Sequence, residues 1–334
     1  MEVFIKDIAY YLPERIVTNE ELVADFPEWS VEKVASKVGI NQRHICAENE
    51  TAADMAIRAA EKLFTKGTVR KEEIDFLLLC TQSPDYFLPT TSCIIQDKLG
   101  FSTNIGAFDY SLGCSGYVYG LSIAKGLICA GIAKNILLLT SETYSKYLHP
   151  KDKGNRTIFG DAASATVISL NGFAKIGDFI LGTDGRGASN LIVKTGGKRH
   201  QEKANDLKFD KKNNPISSDY LYMNGLDIFN FTIKIVPPLI DNILIKNNLK
   251  KEDVNLFILH QANKYILNFL RKKIKISKEK FYLDMVNTGN TVSSTLPIAL
   301  SDARNKGELH GVILLTGFGV GYSWGGTILR IIKE

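Results

Sequence analysis

The sequence predicts an α/β fold made of two duplicated halves related by a pseudo-twofold axis. Short apolar runs read as buried strands, longer segments of helical character lie between them, and two strand motifs recur in the same order at nearly the same spacing. With 334 residues, 45% of them hydrophobic, the chain is long enough for two ordinary domains or one large α/β body.

The strands expected are 74–80 (IDFLLLC), 136–140 (ILLLT), 254–260 (VNLFILH) and 312–316 (VILLT). VRKEEIDFLLLCTQ at 69–82 resembles LKKEDVNLFILHQA at 249–262, an offset of 180, and KNILLLTS at 134–141 resembles HGVILLTG at 310–317, an offset of 176. The halves are therefore drawn at 1–172 and 173–334. The offset of 176 also lays GCSGYVYGLSIAKGLI at 113–128 on GNTVSSTLPIALSDAR at 289–304, which makes Cys114 and Asn290 equivalent. Each follows a glycine and opens a segment suited to a buried helix, so each is expected at a helix N-terminus near the axis. The polar, basic stretch 194–219 reads as a surface excursion.

A charged fraction of 23% and a mean hydropathy of −0.03 fit a soluble globular protein, and no apolar run approaches the roughly 20 residues a membrane span needs. The first seven residues (MEVFIKD) lack the basic, apolar and small-residue regions of a secretory signal, which places the protein in the cytoplasm. Five cysteines, with no CxxC pair, argue against a disulfide framework or a zinc knuckle, and no metal is expected. The net charge of +5 is spread along the chain, so it gives no reason to expect nucleic acid, and an acidic protein partner at one basic face fits it equally well.

Cys114 lies in SLGCSG, where flanking glycines allow a tight strand-to-helix turn and the helix N-terminus favours a thiolate. A lone cysteine is more often inert packing. His260 ends an apolar strand, where its imidazole projects at a sheet edge; a satisfied core histidine is the bland reading, and the company of Cys114 and Asn290 overturns it. Asn290, in NTGNT, reads alone as a helix cap. The other four histidines fall in loop or turn segments. GFGVGYSWGG at 317–326 follows a strand and offers backbone NH groups, and no Lys-Ser/Thr follows to make it a phosphate loop.

CSG after a strand, LHQAN, NTGNT and GFGVGYSWGG, in this order over nearly the whole chain, resemble ketoacyl-acyl carrier protein synthase III, an initiating condensing enzyme of the thiolase superfamily. Tyr11-Leu12-Pro13, Gly39-Ile40 with Arg43-His44-Ile45, and FGDAASA at 159–165 extend the resemblance. It implies a thiolase-like five-layered αβαβα fold and a homodimer. It implies also a decarboxylative condensation of an acyl primer with malonyl-acyl carrier protein, giving a 3-oxoacyl product through a Cys114 acyl-enzyme. His260 and Asn290 would steady the malonyl carbonyl, and the backbone NH groups of Cys114 and Val320 the acyl oxygen. Coenzyme A and acyl carrier protein thioesters enter as substrates, with no resident cofactor. A homologue specialised for a surface glycan or natural product shares the same site, and an inactive acyl-carrier-binding subunit is a third reading that the intact Cys, His and Asn disfavour.

The resemblance extends to further positions. Phe159, Leu191 and Met223 match the pantetheine or acyl tunnel, Asn263 a contact to the substrate amide, and Gly154 a glycine beside coenzyme A. Leu88 matches a residue that closes the partner subunit's acyl pocket, often phenylalanine in the family, and Arg271, Lys272 and Lys273 match the carrier-protein docking helix. Trp29 lies farther from Gly39-Ile40 than the family's adenine-stacking tryptophan, while Lys37 and Lys153 stand in place of arginines. Lysine lacks the planar fork that grips phosphate, so weaker selection for coenzyme A primers is expected.

Overall fold

The computed structural model describes residues 1–211 and 213–332. Its main sheet contains Phe4–Tyr11 (β1), Phe76–Cys80 (β2), Gly106–Tyr110 (β3), Ile136–Glu142 (β4), Ala162–Ser169 (β5), Ala174–Ile176 (β6), Ile180–Thr183 (β7), Leu256–Leu259 (β8), Val312–Gly319 (β9) and Ser323–Ile331 (β10). The helices are Asn19–Asp25 (α1), Val31–Val38 (α2), Ala52–Thr65 (α3), Thr91–Lys98 (α4), Gly116–Cys129 (α5), Lys153–Arg156 (α6), Gly225–Lys246 (α7), Lys264–Lys273 (α8) and Thr295–Asn305 (α9).

The strand order is β8-β9-β10-β6-β1-β5-β4-β2-β3, with β7 also on β10. It repeats itself about the β1–β6 junction. β2 runs parallel to β4, and β4 is antiparallel to β5, which is antiparallel to β1. In the second half β8 runs parallel to β9, and β9 is antiparallel to β10, which is antiparallel to β6 and β7. In the place of β3 the second half has, among the described residues, an isolated bridge, Phe257 to Phe281.

Period-two alternation explains how these strands carry layers on both faces. In β2 and β4, Leu78, Ile136 and Leu138 face a core shared with α5 and α9, while Leu77, Leu79, Leu137 and Leu139 face α3. In β8 and β9, Leu256, Ile258, Ile313 and Leu315 face the same shared core, and Phe257, Leu259 and Leu314 face α7 and α8. The layers therefore run α3/α4, sheet, α5/α9, sheet, α7/α8. On α3 the alanine-rich face (Ala52, Ala56, Ala59, Ala60) lies close on its sheet, and a capping box of Thr51 and Asp54 fixes its start.

Three expectations are revised. The 22-residue α7 is long and apolar enough to span a membrane, contrary to the expectation that no segment approaches that length. Here one face of it packs into the core, with Phe231, Val236, Leu239, Ile240 and Ile243 buried against β9 and β10. Cys114 and Asn290 do not stand alike before their helices. Cys114 immediately precedes Ser115, the N-cap of α5, whereas a 3₁₀ turn, Val292–Ser294, separates Asn290 from α9. Val292 takes a left-handed backbone there (φ 57°), which stops the helix from starting sooner. Thirdly, His44 lies in a short strand, Gln42–Ile45, rather than a turn.

Candidate active site

His260 follows the last residue of β8, so the carboxyl end of a parallel strand delivers its imidazole. The residue is 2% exposed, its backbone NH donates to Thr316 O at 2.8 Å, and the Phe318 ring stands edge-on at 5.7 Å. Nδ1 lies 2.7 Å from Oγ1 of Thr295, the first residue of α9, and Nε2 has no partner among the described residues. Burial pushes the imidazole down to about 3, so it is neutral at physiological pH.

Cys114 lies between β3 and α5, and its sulfur abuts the β9–β10 turn. A Cβ on Gly319 would stand 2.9 Å from Sγ, which is why the turn needs glycine there. The expectation of a resting thiolate is overturned. Burial, then the carboxyl group of Glu142, push the thiol up to about 12, and the backbone NH groups of Cys114 and Val320, which reach the sulfur, only partly oppose them.

Asn290 is tied to the segment after α6. Its NH donates to Ile158 O at 2.8 Å, and its carbonyl accepts from Gly160 NH at 3.1 Å. Gly160 has no alternative, since a Cβ there would stand 2.4 Å from Thr288 O. The Asn290 Oδ1 accepts from Val292 NH at 2.9 Å, which leaves its NH₂ without a partner among the described residues.

Cys114, His260 and Asn290 line one cavity of about 150 Å³, and Phe159, Leu191, Met223 and Asn263 line it with them. A neighbouring cavity of about 390 Å³ shares Met223 and reaches Gly154. The cavity thus contains a thiol, a neutral imidazole and a free carboxamide NH₂, with two backbone NH groups at the sulfur. Such a set can form a thioester and then hold a developing enolate.

Residues 108–185 match the family model described as 3-oxoacyl-[acyl-carrier-protein (ACP)] synthase III, and 244–331 match that of its C-terminal part. A Clostridium perfringens protein named beta-ketoacyl-[acyl-carrier-protein] synthase III is 37% identical over 324 residues, covering 96% of this chain and 97% of the relative. The chain belongs to the 3-oxoacyl-[acyl-carrier-protein] synthase III family. A crystal structure named for that synthase is 48% identical with a TM-score of 0.96, covering 99% of this chain and 100% of the other. The synthase of Burkholderia xenovorans LB400 is 32% identical with a TM-score of 0.90, covering 99% and 94%. The layers described above are therefore those of the family's thiolase-like five-layered αβαβα fold.

Other residues expected from the synthase resemblance lie apart from the catalytic cavity. Trp29 stands half-buried between α1 and α2 with Lys33 Nζ 5.9 Å from its ring centre, and Lys37 is exposed in the last turn of α2. Lys153 is paired with Glu28, and Arg156 with Asp25 at 2.9 Å. Gly154 is exposed, and a Cβ there would meet only Asp152 Oδ1 at 3.6 Å, so packing does not require glycine. Leu88 is 86% exposed beside Tyr86 and Phe87. Within the basic run, Arg271 donates to Ile276 O at 3.0 Å, while Lys272 and Lys273 are exposed.

Sequence reasoning missed Thr295, Glu142, Gln82 and Tyr144. Glu142 is fully buried and accepts from Gln82 NH, Ser83 Oγ and Ser293 Oγ; burial pushes it up to about 8. Glu142 ends β4 and Gln82 stands two residues beyond β2, so the strand-end rule that found His260 would have found both.

Proposed function

We propose that this chain condenses an acyl primer thioester with malonyl-acyl carrier protein, releasing carbon dioxide and giving 3-oxoacyl-acyl carrier protein. The observation that carries this is the convergence of Cys114, His260 and Asn290 on one cavity, with the NH groups of Cys114 and Val320 at the sulfur. Cys114 attacks the primer carbonyl, the two backbone NH groups hold the oxyanion, and the carrier thiol leaves with the proton that Cys114 gives up. Because the thiol is protonated at rest, its proton must move to the departing carrier sulfur during attack.

Malonyl thioester then enters. His260 Nε2–H and the Asn290 NH₂ donate to its carbonyl oxygen as the carboxylate leaves as carbon dioxide. The enolate carbon attacks the acyl group, and Cys114 regains a proton. Each such donor is worth about 3 to 4 kcal/mol.

The halves are assigned to residues 1–172 and 173–334, a division supported by the short link between β5, ending at Ser169, and β6, starting at Ala174. The chain acts as a homodimer in which the exposed Leu88 closes the partner's acyl pocket; three neighbouring apolar residues at 64–86% exposure support this. A cytoplasmic location is supported by five cysteines that are all free thiols. Selection for coenzyme A is weak, since the Lys153 ammonium is already paired with Glu28 and Trp29 already carries Lys33. Acyl carrier protein is a competent primer donor.

Intact mass after incubation with an acyl thioester tests the reading. Wild type gains one acyl group on Cys114, Cys114→Ala gains none, and His260→Ala or Asn290→Ala lowers condensation by roughly 10² to 10³-fold. Full acylation of Cys114→Ala on another cysteine would refute the assignment. Running the same acyl group on both carriers tests donor choice, and a strong coenzyme A preference lost on Trp29→Ala would overturn it.

A further inference from the structure

A polar pair, Gln82 and Tyr144, stands near the nucleophile. Tyr144, 4% exposed, packs in one cluster with Cys114, Phe159 and Leu191, its ring centre 5.3 Å from that of Phe159. Its hydroxyl donates to Oε1 of Gln82 at 2.6 Å. Tyr144 is a wall common to the catalytic cavity and to a wider one of about 870 Å³ that Gln82 and Val320 also line. Gln82 Oε1 and a Val320 methyl each lie 2.7 Å from where a Cβ on Gly113 would stand, so the carboxamide rests against the residue that precedes Cys114.

Gln82 is fixed at every polar atom but one. Its backbone NH donates to Glu142 at 3.0 Å, its carbonyl accepts from the Tyr147 hydroxyl at 2.6 Å, and its side-chain oxygen is taken by Tyr144. The side-chain NH₂ has no partner among the described residues. A purely alkyl acyl group seated here would cover that donor without satisfying it. A hydroxyl satisfies the site fully, because it accepts from the Gln82 NH₂ and donates to a lone pair of the Tyr144 oxygen. A carboxylate on the primer is disfavoured, since neither cavity is lined by Lys or Arg and Glu142 lies behind Gln82. An ammonium has no lone pair for the free NH₂, and a ketone has no proton for Tyr144.

We propose that Gln82, with Tyr144, is a specificity-determining residue that selects a primer whose short acyl group carries a hydroxyl. The substrate class is a hydroxyacyl thioester, and the assignment rests on the Cys114 acyl-enzyme proposed above. The geometry favours it because a donor already held in place loses little freedom on meeting its acceptor.

The test is the rate of self-acylation of the full chain, followed by intact mass, with butyryl and with 2-, 3- and 4-hydroxybutyryl groups on one carrier. One hydroxybutyryl isomer should exceed butyryl by roughly ten-fold, the scale of one hydrogen bond. Gln82→Leu should bring that ratio to about one or below, and Tyr144→Phe should lower it in part. Gln82→Met, closer in shape, gives the same reading should the leucine variant fold poorly. Butyryl matching or outrunning every hydroxy isomer in wild type, or a ratio unchanged in both Gln82 variants, overturns the proposal. Failure of every primer to acylate Cys114 would instead remove the acyl-enzyme reading beneath it, and the proposal with it.

Discussion

The hydroxyl of Thr295 carries one proton and has two acceptors in reach, His260 Nδ1 at 2.7 Å and the Val292 carbonyl at 3.1 Å. When the proton goes to Val292, Nδ1 must carry its own hydrogen and Nε2 is bare, a form that cannot donate to a substrate carbonyl. When it goes to Nδ1, Nε2 carries the hydrogen, the form that donates to the malonyl carbonyl. The Thr295 hydroxyl that donates to Nδ1 thus holds the imidazole in the tautomer that condensation needs. Thr295→Val should lower kcat for condensation by about ten-fold or more with little change in KM, and Thr295→Ser should restore it; a valine variant with wild-type kcat would refute the role. Since burial pushes His260 down to about 3, condensation from preformed acyl-enzyme should show no limb near pH 6.5. A limb there that disappears in His260→Ala would contradict a neutral imidazole.

At the scale of elements, α8 divides its work between its two ends. Asn263 caps the start through Ile266 NH at 2.9 Å while lining the catalytic cavity, and the last turn carries Arg271, Lys272 and Lys273. Arg271 is half-buried and donates to the Ile276 carbonyl, so the exposed charges offered to an acidic carrier protein are those of Lys272 and Lys273. Reversing both to Glu should raise KM for malonyl-acyl carrier protein several-fold and flatten its salt dependence; an unchanged KM would mean that the carrier docks elsewhere. The four strands read from the sequence are those with unbroken apolar runs, β2, β4, β8 and β9. β5 (AASATVIS) was illegible because its buried side chains are small and partly polar, β10 (SWGGTILRI) because its glycines read as a turn, and β1 because Lys6 and Asp7 interrupt it. Asp7 is buried all the same, held by Lys66 at 3.3 Å and Arg304 at 3.0 Å, a tertiary arrangement that no local pattern reveals.

For the whole molecule, Cys114, His260 and Asn290 were legible as candidates because each sits at a punctuation mark in the sequence, a glycine pair or a strand end, and they line one cavity. Their protonation was not, because the burial that raises the Cys114 thiol and lowers the His260 imidazole comes from residues distant in sequence. The polar pair of Gln82 and Tyr144 was equally hidden, since 62 positions separate the partners and only folding brings them together. The same layering bears on how the molecule comes apart. α5 and α9 belong to one core with strands of both halves, so neither half can cover the inner face of its sheet once the other has gone. Melting is therefore expected as a single event despite the internal repeat, with calorimetric and van't Hoff enthalpies in agreement. Two resolved heat-absorption peaks would contradict it. Duplication has here produced something no longer divisible: a gene split at the repeat boundary would yield two polypeptides that are each insoluble alone and useful only when folded together.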